Sequence, residues 1–408
     1  MKIQETNMGI TSPKGFRAAG NHIGIKKDKK DLTLVVSDCP AVCAGVFTTN
    51  LVHAAPVAWD RDIVNEGKTV RGILVNSGNA NACTGEQGAM DNQIMAETFG
   101  GLLGASAKEI LICSTGVIGV PMPMDVVVSG IKSTFSSLGR SEAHGDDAAN
   151  GIMTTDIFSK TITVTIELSG KTITISGMSK GSGMIHPNMA TMLGFVTTDV
   201  AITQKLLQKA LSEVTIDTYN MISVDGDCST NDTLLALANG MGENPLIDKE
   251  NEDYVIFKNA LYEVNKKLAI DIARDGEGAT KLLISNVTGA KTKEDARVIA
   301  RSVISSSLLK SAMFGRDANW GRVLCAMGYS GGTFDVQKVD IQFESAAGII
   351  SLMENGAPVA FDEEKALKIL DESEITIQIK LSDGSASATA WGCDLTYEYV
   401  KINGEYRS

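Results

Sequence analysis

Several residue types on which enzymes commonly rely are scarce here. Only four of the 408 residues are histidine (His22, His53, His144 and His186), which argues against a multi-histidine metal site. The seven cysteines are an odd number, scattered at positions 39, 43, 83, 113, 228, 325 and 393. Their spacing fits neither a zinc ligand set nor a disulfide framework, so reduced thiols are expected. Proline is sparse, with 8 residues, and no Pro/Ser-rich linker or fixed-period repeat breaks the chain. No run approaches the ~20 apolar residues of a membrane-spanning helix. The opening residues, Met1 to Glu5, lack the apolar core of a secretory signal, and a cytoplasmic location is expected.

Positive charge is also in deficit. The formal net charge is −12 and the pI is about 4.9, a balance that disfavours a nucleic-acid partner. The one basic run, Lys26, Lys27, Lys29 and Lys30, is interrupted by Asp28 and followed by Asp31, and reads as a solvated turn.

What the chain does have is glycine, 40 residues, in loops that invite a nucleotide-binding interpretation. No GxxxxGK[ST] stretch occurs. The segment Gly177 to Gly183 follows a strand but runs into Pro187 rather than opening a helix. The glycines then serve either to turn the backbone tightly or to let backbone amides approach a reacting group.

The hydrophobic pattern predicts strands at 32–36, 72–76, 338–343 and 375–381. Helical spacing predicts helices over 86–103, 203–220, 251–274 and 291–311, and Pro123 suits the start of another. The clearest hairpin signal is Thr161–Leu168, a Ser169-Gly170 turn and Lys171–Ile175. An Asp383-Gly384 turn leading into 385–396 is consistent with a second hairpin. Strands and helices mix without strict βαβ alternation, which favours layered α+β or α/β architecture over a doubly wound sheet. A composition dip at Gly240, Gly242, Asn244 and Pro245 marks a domain boundary, giving regions 1–240 and 245–408.

Residues 180–193 read KGSGMIHPNMATML, small and flexible residues followed by Pro187 and then Ala190-Thr191. By composition alone this threonine is an ordinary hydroxyl. The segment nevertheless resembles the self-cleavage and active-site motif of the ornithine acetyltransferase (glutamate N-acetyltransferase) family. So do NSGNANACTGEQG at 76–88, STGVIGVPMPMD at 114–125 and VDGDCSTNDT at 224–233. DGEGATKL at 275–282, FGRDANWGR at 314–322 and the terminal Asn403…Tyr406-Arg407-Ser408 complete the match across nearly the whole chain. Cys228 departs from the threonine that many members carry in the DGDxSTND stretch.

The resemblance implies an α/β protein with mixed α+β layers. Its catalytic part would be a layered αβ sandwich of the self-cleaving N-terminal-nucleophile type, with a smaller C-terminal αβ domain whose tail returns to the active site. A precursor would cut itself between Ala190 and Thr191 into chains of residues 1–190 and 191–408, assembled two of each. Thr191 would then be nucleophile and new N-terminus, with Thr115 and Gly116 as the oxyanion hole. Thr154, Lys180, Thr191, Glu277, Asn403 and Ser408 would bind substrate. Lys180 suits a carboxylate and Glu277 an ammonium. The implied reaction moves acetyl from N-acetylornithine to glutamate in arginine biosynthesis. No metal or tightly bound organic cofactor is implied, and acetyl-CoA as a further donor is left open.

The chemistry is coherent without histidine. A threonine hydroxyl is a weak nucleophile unless a base lies within hydrogen-bond reach. Cleavage frees the α-amine of Thr191 itself, whose reference pKa is ~7.7–8.0. Two other readings stay open on the residues alone. One is an N-terminal-nucleophile amidohydrolase or aminopeptidase, in which water takes the acyl group. The other is a non-enzymatic ligand-binding protein that keeps its chain whole.

Overall fold

The computed structural model of the chain describes residues 9–186 and 192–405. Two sheets carry the architecture. The first runs in the order Ile110–Val117, Val70–Asn79, Leu32–Phe47, Thr233–Ala238, Leu193–Thr198, Lys171–Lys180 and Lys160–Leu168, with Phe16–Asn21 pairing on Leu32–Phe47. Most of its central strands are apolar and buried on both faces; every residue of Thr233–Ala238 and Leu193–Thr198 is buried. A strand buried on both faces reads as a continuous apolar run, and it needs helices on either side.

Those helices are present. Glu252–Arg274 buries Tyr254, Phe257, Leu261, Val264, Leu268 and Ile272 along one stripe. It lies against the Lys160–Leu168 and Lys171–Lys180 strands, where Gly177 faces Val264 and Leu268. Lys293–Ser305 buries Ala296, Ile299, Ala300, Val303 and Ile304 against the second sheet. That sheet runs Ala357–Pro358, Gly348–Glu354, Asp340–Ser345, Glu374–Lys380, Leu282–Ala290, Ala386–Cys393 and Ile222–Ser223. A continuous apolar core joins side chains of both sheets and of the helices Gln204–Ile216, Glu252–Arg274 and Lys293–Ser305. The result is the layered αβ arrangement the sequence predicts.

Local signals placed many elements well. Ser169 and Gly170 both adopt left-handed backbone, the geometry of a two-residue hairpin turn, between Lys160–Leu168 and Lys171–Lys180. Asn251 caps the next helix by accepting the Tyr254 N–H. Two expectations need correction. The single helix over 291–311 is two, Lys293–Ser305 and Ser307–Phe314, because Ser306 leaves helical geometry and caps the second by accepting the Leu309 N–H. The Asp383-Gly384 turn does not close a hairpin. Glu374–Lys380 and Ala386–Cys393 flank the same strand, Leu282–Ala290, one parallel to it and one antiparallel. The turn instead wraps the end of that strand, with Asp383 and Gly384 donating their N–H groups to the Gly289 carbonyl.

Candidate active site

The first sheet ends in loops that converge on one open pocket. Thr115, Gly116, Thr154, Lys180, Glu277 and Asn403 all line it, although they span most of the sequence. Ala190, Thr191 and Ser408, the remaining residues named from the sequence, lie outside the described residues. Met192, the next described residue, lines the pocket together with Leu193. Leu193 opens a strand held between Lys180 on one side and Thr233 on the other, and the Thr233 N–H also reaches the Met192 carbonyl.

Thr115 and Gly116 sit at the end of the strand Ile110–Val117, paired with Ser77 and Gly78. Gly116 has φ 132°, and a Cβ there would lie 2.3 Å from the Gly78 carbonyl carbon, so only glycine fits this close approach of two strands. An asparagine network fixes the strand end. Ser114 Oγ donates to Asn76 Oδ1 at 2.6 Å, and Asn76 Nδ2 donates to the Asn79 carbonyl at 2.8 Å. From across the pocket, Asn231 Nδ2 donates to the Ser114 carbonyl at 2.8 Å and the Ala80 carbonyl at 2.6 Å. Asn231 was not singled out from the sequence. It lies inside the 224–233 motif, but its role depends on strands more than a hundred residues away.

Lys180 ends the strand Lys171–Lys180 and is buried. Burial pushes its ammonium pKa down, Asp156 opposes this, Lys160 adds to it, and Asp232 and Glu277 oppose it further. Its Nζ lies 3.5 Å from Thr115 Oγ1. Glu277 follows the C-terminus of Glu252–Arg274; its N–H donates to the Ser182 carbonyl, and its carboxylate accepts from Asn403 Nδ2 at 2.8 Å. Gly183 faces that carboxylate, which a Cβ would meet at about 2.4 Å. Asn403 rides on the C-terminal helix Tyr397–Glu405, docked where Thr396 Oγ1 donates to the Gly278 carbonyl at 2.7 Å.

The lysine-rich turn is not uniformly solvated. Lys26 points inward and donates to the Met153 carbonyl at 2.6 Å, beside Thr154, and burial lowers its pKa to about 8. His186, five residues before Thr191, is half-buried with Nδ1 3.0 Å from Ser223 Oγ, and burial lowers its pKa to about 4. Among the described residues no group of three or more His, Cys, Asp or Glu side chains is placed to hold a metal. No disulfide joins the described cysteines, and no described helix is long and apolar enough to cross a membrane.

The pocket thus places a hydroxyl, a cation and an anion around a small volume beside the chain that follows Thr191. Known proteins are similar to this chain in sequence. A protein of Caldanaerobacter subterraneus subsp. tengcongensis named arginine biosynthesis bifunctional protein ArgJ is 53% identical over 98% of this chain and 98% of its own. One of Bacillus subtilis with the same name is 46% identical over 100% of this chain and 98% of its own. The crystal structure of arginine biosynthesis bifunctional protein ArgJ from Bacillus halodurans is 45% identical with a TM-score of 0.51, and covers 53% of this chain and 100% of that one. The ArgJ family model matches residues 17–408, and the chain belongs to the ArgJ family.

Proposed function

We propose that this protein transfers acetyl from N2-acetyl-L-ornithine to L-glutamate through an acetyl-Thr191 intermediate, after cutting itself between Ala190 and Thr191. The observation that carries the reading is the convergence of Thr115, Gly116, Thr154, Lys180, Glu277 and Asn403 on one pocket bordered by Met192. The cut has separate support. Residues 191–408 are 218 of 408, or 53% of the chain, which is the share covered by the whole of the Bacillus halodurans chain.

In the first half-reaction Thr191 Oγ attacks the acetyl carbonyl while its own α-amine takes the hydroxyl proton. The carbonyl oxygen becomes an anion, met by the Thr115 hydroxyl and the Gly116 N–H. The C–N bond then breaks, the proton passes to the departing amine, and ornithine leaves. In the second half the glutamate amine attacks acetyl-Thr191 and regenerates the hydroxyl. Self-cleavage uses the same nucleophile: Oγ attacks the Ala190 carbonyl, the acyl group shifts from N to O, and water releases it. Lys180 binds the α-carboxylate common to both substrates, and Glu277 meets the side-chain ammonium of ornithine. No metal or bound cofactor enters the scheme. The word bifunctional in the relatives' names supports a second activity, which we assign to acetyl-CoA as alternative donor. Two chains of each fragment, in the cytoplasm, complete the proposal.

The test is exchange of labelled ornithine into N-acetylornithine without glutamate, which a ping-pong transferase catalyses. Its absence, or acetyl passing only to water, overturns the reading in favour of an amidohydrolase. Turnover by Thr191→Ala, or an uncut 43.2 kDa chain in the active enzyme, overturns the proposed nucleophile. Acetylglutamate formed from acetyl-CoA and glutamate, with acetylornithine absent, tests the second donor.

A further inference from the structure

Behind the pocket lies a buried ion triad that none of the expected roles uses. Asp156, Lys160 and Asp275 are each no more than 3% exposed. Lys160 Nζ donates to Asp156 Oδ1 at 2.7 Å and to Asp275 Oδ2 at 2.5 Å. Fully buried charges are costly unless their remaining hydrogen-bonding capacity is met, and here backbone amides meet it. Asp156 Oδ2 accepts the Thr154 N–H at 2.9 Å, and Asp156 Oδ1 accepts the Gly181 N–H at 2.7 Å. Asp275 accepts the Ile157 N–H at 3.1 Å.

These bonds fall on three of the segments that line the pocket. Thr154 is bonded directly, Gly181 follows Lys180, and Asp275 lies two residues before Glu277. We infer that Asp156 is a positioning residue for the acetyl-transfer reaction: one carboxylate fixes Thr154 and Lys180 relative to each other, and through Lys160 fixes both relative to Glu277. This inference rests on the function proposed above. Precise placement matters because a displacement of about 1 Å in a substrate-holding group can lower rates ~100-fold.

The charge of Asp156 has a second effect. The groups facing Lys180 are Asp156 and Lys160 from the neighbouring loop and strand, Asp232 from just before the Thr233–Ala238 strand, Glu277 from the loop after Glu252–Arg274 and Lys26 from the lysine-rich turn. Among these, Asp156 is the largest influence keeping Lys180 protonated against the effect of burial. Removing its charge should let Lys180 lose its proton at lower pH.

The experiment compares Asp156→Asn, Asp156→Glu and Asp275→Asn in the full self-processed protein, with acetyl transfer by the wild type measured alongside to test the functional reading separately. Asp156→Asn should raise KM for acetylornithine at least tenfold, weaken ornithine binding by calorimetry to match, and move the alkaline limb of kcat/KM to lower pH. Asp275→Asn keeps both Asp156 amide bonds and should change KM less. Asp156→Glu keeps the charge but moves the carboxylate by one methylene; it should lose substrate affinity while leaving the alkaline limb in place. An Asp156→Asn enzyme with wild-type KM, ornithine affinity and pH profile, differing only in Tm, overturns the inference. Where Asp156→Asn does not fold, wild-type affinity in Asp156→Glu overturns it equally.

Discussion

Lys180 Nζ stands 3.5 Å from Thr115 Oγ1, so the expected carboxylate partner and the expected oxyanion donor touch each other. An ammonium can only donate, which makes the threonine oxygen the acceptor and leaves its own hydrogen free to point elsewhere. A hydroxyl polarised in this way is a better donor to an oxygen gaining negative charge. In the proposed reaction, substrate binding and transition-state stabilisation would therefore share one pair of side chains.

Removing that donor should act mainly on the chemical step. Thr115→Ala is expected to lower kcat by about 100- to 1000-fold, the loss typical of one oxyanion donor, with a smaller change in KM. Thr115→Ser retains the hydroxyl and should keep most of the rate. Steady-state kinetics on the two variants decides the matter, and an unimpaired alanine variant would remove Thr115 from the oxyanion hole.

Gly183 offers a probe of Glu277 that keeps its carboxylate but displaces it. A methyl group at this position would fall about 2.4 Å from the Glu277 carboxyl carbon, forcing it aside and straining its bond from Asn403. Gly183→Ala should raise KM for acetylornithine several-fold and raise it less for glutamate, which carries no side-chain ammonium. Equal effects on both substrates would show that Glu277 does not read the ornithine side chain.

How far these features could be read from the sequence depended on the range of the interactions involved. The Ser169-Gly170 hairpin and the helix predicted over 251–274 rest on signals local to each segment, and both were legible. The break at Ser306 was hidden because Val303, Ile304 and Leu308 keep helical spacing across Ser305-Ser306-Ser307. The partner of Ala386–Cys393 lies about a hundred residues away, so a nearby turn suggested the wrong pairing. Lys26 resembled its solvated neighbours until the fold supplied the Met153 carbonyl. The pocket residues were named through motif resemblance. No local pattern singles out Asn231 or Asp156, whose bonds cross between separate segments.

Stability should fall on acidification through His186. Burial lowers its pKa from the ordinary 6.5 to about 4, with Arg301 reinforcing the shift, Asp225 opposing it and Lys310 adding to it. The folded state thus resists a proton that the unfolded chain binds below about pH 6.5. The contribution is complete above that pH and is lost as pH drops toward 4. His186→Gln should show a shallower fall in Tm between pH 7 and 4 than the wild type. Parallel curves in thermal melts across that range would assign the acid sensitivity to other groups.

The C-terminal helix supplies the last test. Terminal residues fray unless something ties them down. Here Tyr397 stacks edge-on against Phe314 with ring centroids 5.5 Å apart, and Tyr399 Oη donates to Asp225 at 3.4 Å. Asp225 also accepts the N–H groups of Met184 and Ile185, on the segment leading to Thr191. These anchors all precede residue 403. Deleting residues 403–408 should therefore leave the helix docked and self-cleavage intact, while removing Asn403 from Glu277 and raising KM at least tenfold. Gel analysis of processing beside steady-state kinetics separates the two effects. Unchanged KM would exclude the tail from substrate binding, and loss of cleavage would show that it shapes the nucleophile's surroundings instead.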